Sequence, residues 1–268
     1  MRVIILITTS ILLIFMGCIN NSVQPDVTPP SIPRGLYAYA GDNFVELSWD
    51  KNPESDLAGY NIYVCNSYDG KYRIIKSTSE TFYIDYNTAN GQTYYYRISA
   101  YDRSGNESYL SRQTVFATPR PEGHNVKLWD YHSSPNYSGY DFSTNTIGPY
   151  NDQYTDIFFE YYENIFYLDV WDDTEIQDMG YTNSLDEIFC SPTTGWSPTK
   201  DVRLIVGHTY VIRTWDKHYA KVRVLSLTNT YLIFEWAYQL QVDNPYLKSY
   251  SVERDTLAFG IGAMSRIL

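Results

Sequence analysis

The sequence is poor in basic residues and lacks the short motifs that mark common catalytic centres. Its 268 residues include 20 Lys and Arg against 31 Asp and Glu, which gives a formal net charge of −11. Binding to phosphate backbones needs clustered Lys and Arg, so this balance argues against nucleic acid as a partner. No Gly-x-Ser-x-Gly, His-Glu-x-x-His, Gly-x-Gly-x-x-Gly or Walker sequence is present. We therefore predict that the protein is not an enzyme, and we assign no cofactor.

Cysteine is equally scarce, with three in the whole chain. Cys18 ends the apolar leading segment, whereas Cys65 and Cys190 each lie within an apolar run in what we interpret as different domains. This placement favours buried thiols over a disulfide between them.

No apolar run is long enough to cross a bilayer as a helix. Residues 3–16 are mostly Ile, Leu, Val and Phe, but about 20 residues are needed to span. The run follows Arg2 and ends in Gly17-Cys18, which resembles the bacterial lipobox. The resemblance implies a signal peptide over residues 1–18, an acylated Cys18 and a lipid-anchored place in the cell envelope. The alternative is an ordinary signal, or a short anchor, with a free Cys18.

What the chain has in excess is aromatic residues, with 28 Tyr, 11 Phe and 6 Trp. Such a surplus suits strands and binding surfaces better than a helical bundle, so we predict an all-β protein. Residues 19–30 contain Asn, Ser, Gln and three prolines, which predicts an extended tether.

Residues 28–121 form the first predicted domain, with short alternating segments between turn residues. The characteristic segments are PPSIP at 29–33, VELSW at 45–49, DLAGYNIY at 56–63 and YYYRISA at 94–100. In this order they resemble a fibronectin type III domain. The resemblance implies an immunoglobulin-like β-sandwich with Trp49 in the core and Tyr94 as the corner tyrosine, although the usual Leu-x-Pro before that tyrosine is absent. The loop at 102–107 lacks Arg-Gly-Asp, so we predict a spacer or docking module.

Residues 124–243 form the second predicted domain, after a stiff break at Pro119-Arg120-Pro121-Glu122-Gly123. Alternation at 208–215 and 218–225 predicts a hairpin that turns at Asp216-Lys217. Further strands are predicted at 140–143, 156–161, 165–170 and 231–238. We expect a second antiparallel β-sandwich or a partly closed barrel, with a tail of unclear structure at 244–268.

Segments of the second domain resemble haem-binding lipoproteins of the HmuY type, namely YDFST at 140–144, DIFF at 156–159, YVIRT at 210–214 and YAKV at 219–222. The resemblance implies haem binding, but the hairpin would separate His208 and His218 too far for one iron. His124 and His132 lie in the entry segment of the domain. They could bind iron as a pair, or either could pair with His208 or His218. An exposed or core-satisfied histidine is the competing interpretation, and haem binding stays unknown.

Two further patterns suggest ligands. Asp169, Asp172 and Asp173 belong to an acidic run that offers oxygen ligands for calcium. Its spacing does not follow the EF-hand loop, and a solvated acidic turn at a strand end is the favoured interpretation. The other pattern is a set of tryptophans that could stack on sugar rings if they are exposed. The competing interpretation is that these tryptophans are buried in the core. The candidates are Trp129, Trp171, Trp196 and Trp215.

These observations predict a membrane-anchored envelope lipoprotein that acts as a non-catalytic binding or scaffold protein. A protein or a carbohydrate is the expected partner beside membrane lipid. Haem capture and a carbohydrate-binding module are the alternatives.

Overall fold

The computed structural model describes residues 24–248, and its strands form four antiparallel sheets. Cys18, the leading residues 1–23 and the tail residues 249–268 lie outside the described residues, so those predictions stay predictions. Within residues 24–248, no helix combines the length and the apolar character needed to cross a bilayer. The all-β prediction is confirmed.

The first domain contains seven strands in a sheet of three, ordered β1-β2-β5, and a sheet of four, ordered β4-β3-β6-β7. The strands are β1 (Tyr37–Gly41), β2 (Phe44–Ser48), β3 (Leu57–Cys65), β4 (Arg73–Thr78), β5 (Phe82–Asp85), β6 (Tyr94–Asp102) and β7 (Val115–Ala117). Alternation in β2 buries Val45 and Leu47 completely, and Trp49 beyond its end is 6% exposed. The Trp49 indole meets Tyr60 edge-on, with ring centroids 5.3 Å apart.

Tyr94, the predicted corner tyrosine, forms a hydrogen bond with the backbone. The Ala89 N–H donates to the Tyr94 hydroxyl at 3.0 Å, and the Tyr94 ring packs against the core. The Asn90-Gly91 turn reaches the end of the domain, where the Gly91 N–H donates to the Pro119 carbonyl at 2.8 Å. This corner is therefore tied by hydrogen bonds although the usual Leu-x-Pro is missing.

The second domain is a sandwich of two five-stranded sheets, ordered β10-β9-β11-β12-β14 and β13-β15-β16-β17-β8, rather than a closed barrel. The strands are β8 (Glu122–Trp129), β9 (Gly139–Asp141), β10 (Thr146–Gly148), β11 (Ile157–Tyr162), β12 (Ile165–Asp169), β13 (Glu175–Tyr181), β14 (Asp201–Arg203), β15 (His208–Arg213), β16 (Tyr219–Leu227) and β17 (Tyr231–Gln239). Phe159, Leu168, Ile212 and Trp236 are among the fully buried residues between the sheets.

Two sequence predictions need correction here. The β15–β16 turn is five residues long rather than two, because Arg213 pairs with Tyr219 and the Thr214 N–H donates to the His218 carbonyl at 2.9 Å. Trp215 and His218 therefore belong to the turn. Cys65 and Cys190 are free, but both are half-buried rather than buried, since each lies at a strand end or in a loop and not in a sheet interior.

Arg120 joins the two domains. Its N–H donates to the Gly41 carbonyl of the first domain at 3.3 Å, and its guanidinium donates to Asp186 of the second domain at 3.0 Å. The neighbouring Glu122 accepts a hydrogen bond from the Tyr39 hydroxyl of β1 at 3.3 Å. The break predicted at 119–123 is thus held by polar contacts on both sides. It is shorter than predicted, because Glu122 and Gly123 already pair with β17 as the first residues of β8.

Asp186 also faces a buried lysine. The Lys221 side chain is fully buried, with its Nζ donating to the Leu185 carbonyl at 2.6 Å and the Ile188 carbonyl at 2.9 Å, and lying 3.6 Å from Asp186. Burial and the nearby positive charge of Arg120 hold the pKa of Lys221 well below its usual value. Asp186 therefore lies within 4 Å of three basic side chains at the domain junction, those of Arg120, Lys221 and Lys248.

Candidate functional site

The outer face of one sheet of the second domain carries the candidate site. In β11, strand alternation turns Ile157 and Phe159 into the core, so Phe158, Glu160 and Tyr162 point to the other side. Asp169 of β12 pairs with Phe158 across the ladder, which puts its carboxylate on the same outer face. Apolar rings and carboxylates therefore alternate along this surface.

A buried aspartate shapes the loop that covers this face. The carboxylate of Asp130 accepts hydrogen bonds from the backbone N–H groups of Tyr161 at 2.9 Å and Ser133 at 3.2 Å, and it contacts His132 Nδ1 at 3.3 Å. The Tyr131 N–H donates to the Phe159 carbonyl at 3.1 Å. These bonds fix Tyr131 and His132 over the sheet.

Five rings form what we call the aromatic row, namely Tyr162, His132, Tyr131, Tyr150 and Trp171. Successive ring centroids lie 6.3, 4.1, 4.8 and 6.4 Å apart, with interplanar angles from 22° to 28°. Each ring is therefore roughly parallel to its neighbour in the row, and the five rings come from four separate segments of the chain.

Phe158 supports the row from below. Its ring lies 5.7 Å from Tyr131, 5.6 Å from Tyr150 and 5.3 Å from Trp171 by centroid. The Trp171 indole N–H donates to the Tyr150 carbonyl at 3.2 Å, which fixes the orientation of the ring. Tyr162 is 53% exposed and Trp171 is 41% exposed, so both ends of the row are open to a ligand.

Carboxylates lie beside the rings. Glu160 accepts a hydrogen bond from the Tyr131 hydroxyl at 3.0 Å. Burial, followed by the charges of Glu160 and Asp201, raises the pKa of Asp169 to about 8. Asp169 Oδ2 is buried without a hydrogen-bond partner. The row thus combines apolar ring surface with oxygen acceptors, a mixture typical of small-molecule and glycan sites.

Of the four predicted tryptophans, only Trp171 belongs to the row. Trp129 is 36% exposed and packs against Tyr231, with Lys127 Nζ 4.2 Å from its ring centroid. Trp215 is 44% exposed and pairs with Tyr154. Trp196 is half-buried in the segment before β14.

The predicted acidic run does not converge on a metal. Asp172 and Asp173 are exposed in the turn that the Thr174 N–H closes on the Trp171 carbonyl at 2.9 Å, whereas Asp169 points into the outer face. Over residues 24–248, the group of three potential ligand residues with close oxygens is elsewhere, at Asp26, Asp56 and Asp102 of the first domain.

The four histidines each face a different partner. His124 Nδ1 contacts Glu235 at 3.1 Å, His208 Nδ1 contacts Asp178 at 3.0 Å and His218 Nδ1 contacts the Gln239 carbonyl at 2.9 Å. His132 belongs to the row. Among residues 24–248, none of these contacts brings two histidines together. The comparisons with known proteins described below do not support the resemblance to haem-binding lipoproteins.

Sequence reasoning missed Tyr131, Tyr150, Tyr162 and Phe158. Their only signal was the aromatic content of the segments at 129–132 and 157–162. That signal does not say which rings face outward together, because the row depends on loops at 130–134 and 149–156 folding over the sheet.

Comparison with known proteins finds similarity over limited segments, and no family model matches the chain. Amylopullulanase of Thermoanaerobacterium saccharolyticum is 38% identical over 99 residues, which are 37% of this chain and 8% of that protein. Exoglucanase B of Cellulomonas fimi is 32% identical over 134 residues, or 47% of this chain and 12% of that protein. Chitinase Chi52 of Paenibacillus xylanexedens is 30% identical over 130 residues, or 46% and 24%. The chain therefore spans less than a quarter of the length of these relatives.

Structural neighbours over about a third of the chain are fibronectin type III domains. A fibronectin type III-like protein from Clostridium thermocellum covers 36% of this chain and 100% of its own, at 28% identity and a TM-score of 0.30. A β-1,2-glucanase from Parabacteroides distasonis covers 36% of this chain and 14% of its own, at 32% identity and a TM-score of 0.31. We describe the first domain as a β-sandwich from its own strand order, β1-β2-β5 and β4-β3-β6-β7, and not from these TM-scores.

Proposed function

We propose that the protein is a non-catalytic carbohydrate-binding protein of the cell envelope. The fibronectin type III-like domain positions the second sandwich, and the aromatic row of that sandwich binds the glycan. The observation that carries this proposal is the row itself, five rings stacked neighbour on neighbour over one outer face, with both end rings exposed.

The chemistry of the row suits a neutral sugar chain. The exposed rings of Tyr162 and Trp171 offer apolar surface to the C–H faces of sugar rings, and Glu160 offers an acceptor to a sugar hydroxyl. The net charge of −11 disfavours an anionic polysaccharide. A neutral glycan is therefore the ligand class that we propose.

The similar proteins support an accessory role. Amylopullulanase, exoglucanase and chitinase are enzymes by name, and the matching segments make up 8%, 12% and 24% of their lengths. A segment that small is consistent with a module that accompanies a catalytic domain. We extend only this accessory character to the present chain.

Binding to neutral glycans tests the proposal directly. The full chain, in a detergent without sugar headgroups, is titrated with soluble glucans and with chitin oligosaccharides while tryptophan fluorescence and heat are recorded. We expect saturable binding to at least one neutral glycan and its loss in Trp171→Ala. Trp129→Ala is the matched control, since Trp129 is similarly exposed but lies outside the row, and it should bind like the native chain.

Two outcomes would contradict the proposal. Equal binding by Trp171→Ala and the native chain would remove the row as the site. Absence of binding to every neutral glycan in the panel would leave a scaffold protein without a glycan ligand.

The envelope location rests on Cys18, which we propose to be acylated after removal of residues 1–17. Cys18→Ala should accumulate unprocessed precursor and lose the lipid mass, because the acceptor thiol is gone. Mass spectrometry and membrane fractionation measure both effects. An unchanged mass and unchanged partitioning in Cys18→Ala would refute lipidation.

A further inference from the structure

A second exposed aromatic pair lies outside the row, at the loop end of the second domain. The rings of Tyr154 and Trp215 are 53% and 44% exposed, and their centroids lie 6.4 Å apart at an interplanar angle of 46°. Exposed tryptophan and tyrosine side by side are uncommon on a surface that serves only solvation. The proposed function does not use this pair.

Both rings stand on turns that are closed by hydrogen bonds. The Tyr154 N–H donates to Asp152 Oδ1 at 2.9 Å, and the Thr155 hydroxyl donates to the Pro149 carbonyl at 2.8 Å. In the turn of Trp215, the Thr214 hydroxyl donates to Asp216 Oδ1, and the His218 N–H donates to the Thr214 hydroxyl at 3.0 Å. The pair is therefore preorganised, and a ligand need not order these loops.

The sheet register puts Trp171 and Trp215 at the same end of neighbouring strands. Glu175 of β13 pairs with Arg213 of β15, and neighbouring strands lie about 5 Å apart. Trp171 is in the turn that enters β13, and Trp215 is in the turn that leaves β15. The two turns are therefore attached to neighbouring strands at a pair of directly opposed residues, Glu175 and Arg213.

The loop at 149–156 links the row to the pair, since it carries Tyr150 of the row and Tyr154 of the pair. Four residue steps limit the separation of their Cα atoms to about 14 Å. The Tyr150 and Trp171 ring centroids lie 6.4 Å apart, and those of Tyr154 and Trp215 are separated by the same distance. The loop at 149–156 therefore contacts both the turn of Trp171 and the turn of Trp215.

We propose that Tyr154 and Trp215 form a second contact for the same neutral glycan chain that binds the aromatic row. The chain lies along the row, leaves it at Trp171 and continues onto the pair. This inference rests on the proposed function and adds a prediction of its own, namely that affinity increases with glycan length. A short oligosaccharide occupies the row alone, whereas a longer one gains the second contact at high effective concentration.

The experiment compares a short and a long oligosaccharide of whichever neutral glycan binds, using the full chain and calorimetric titration. Trp215→Ala and Tyr154→Ala should each weaken binding of the long ligand about tenfold, equivalent to about 1.4 kcal/mol, and leave binding of the short ligand unchanged. Trp171→Ala should weaken binding of both ligands. Trp129→Ala should change neither, and thermal unfolding shows that each variant is folded.

The outcomes separate this inference from the proposed function. If Trp171→Ala weakens both ligands while Trp215→Ala and Tyr154→Ala affect neither, the second contact is wrong and the row remains. If Trp215→Ala weakens short and long ligands equally, the pair is part of one compact site and the length dependence is wrong. If neither ligand responds to Trp171→Ala, the proposed function fails and the inference with it.

Discussion

The two sandwiches of this protein share an architecture but distribute their aromatic side chains differently. In the first domain the large rings Trp49, Tyr60 and Tyr96 are buried in the core, and neighbouring rings outside the core form groups of three, such as Tyr39, Phe44 and Tyr86. The second domain has buried rings as well, but its aromatic row joins five rings on the outside of a sheet, supported by Phe158. The comparison teaches that the core makes each sandwich stable, whereas the outer face and the loops decide what it can bind.

The largest expected effect separates a core tryptophan from a row tryptophan. Trp49→Ala should destabilise the first domain by about 3–5 kcal/mol, because it removes a large buried side chain and leaves a cavity beside Tyr60. Trp171→Ala should cost about 1 kcal/mol or less, because this ring is 41% exposed. Urea unfolding followed by circular dichroism measures both. Similar losses of unfolding free energy in the two variants would contradict the assignment of Trp49 to the core and of Trp171 to the binding surface.

The second prediction tests the polar junction between the two domains, where Asp186 contacts Arg120 and the buried Lys221. Asp186→Ala should destabilise the protein by about 3 kcal/mol, because it leaves Arg120 and the buried Lys221 without their shared carboxylate. Tryptophan fluorescence reports this loss, since five of the six tryptophans lie after residue 122.

Asp243→Ala is the matched control for Asp186→Ala. Asp243 accepts from Arg213 Nη2 at 2.8 Å, much as Asp186 accepts from Arg120 Nη2 at 3.0 Å, but its side chain is 55% exposed. An exposed pair contributes under about 1 kcal/mol. Equal losses in both variants would show that burial of the junction adds nothing.

The third prediction concerns pH, because the pKa values of Asp156 in the second domain and Glu107 in the first shift in opposite directions. In the second domain, burial raises the pKa of Asp156 from its ordinary 3.8 to about 8. Between these values the folded state holds a proton that the unfolded state has lost, so stability should fall as the pH rises from about 4 to about 8. Asp156→Asn should flatten this slope. Urea midpoints between pH 4 and pH 9 measure it.

Glu107 of the first domain supplies the opposite case. Burial acts to raise its pKa, but hydrogen bonds from Asn61, Ser99 and Tyr63 prevail and lower it. Its contribution is therefore present above its ordinary value near 4.5 and is lost as the pH falls through the lowered pKa. Glu107→Gln should reduce the loss of stability on acidification. A slope of the same sign for Asp156 and Glu107 would contradict this assignment.

The fold of the first domain was largely predictable because its information is local. Alternation at 44–49 and 94–102 places the buried residues of β2 and β6, and the ordered motifs suggest the sandwich. In the second domain the hairpin of β15 and β16 was predictable for the same reason. Strands β10 and β14 have three residues each, too few for a periodic signal, and β8 pairs with β17 more than 100 residues away.

The candidate site was predictable only in part, since its residues converge from distant segments. Trp171 drew attention as a tryptophan in an acidic turn, yet nothing in the sequence links it to Tyr131 or Tyr162. That link requires Asp130 to hold its loop over β11. The same holds for Arg120, whose flanking prolines indicated a boundary but not a buried contact with Asp186.

The smallest expected effect tests the corner of the first domain, which lacks its usual Leu-x-Pro. Tyr94→Phe removes the hydroxyl that accepts the Ala89 N–H at 3.0 Å and should cost about 1 kcal/mol, the net contribution of one such bond. Tyr86→Phe is the control, because this ring is 71% exposed and its hydroxyl should contribute nothing. Urea unfolding of both variants decides the matter. If Tyr94→Phe unfolds like the native chain, the tyrosine hydroxyl contributes nothing, and the hydrogen bonds of Asn90 and Gly91 hold the corner without it.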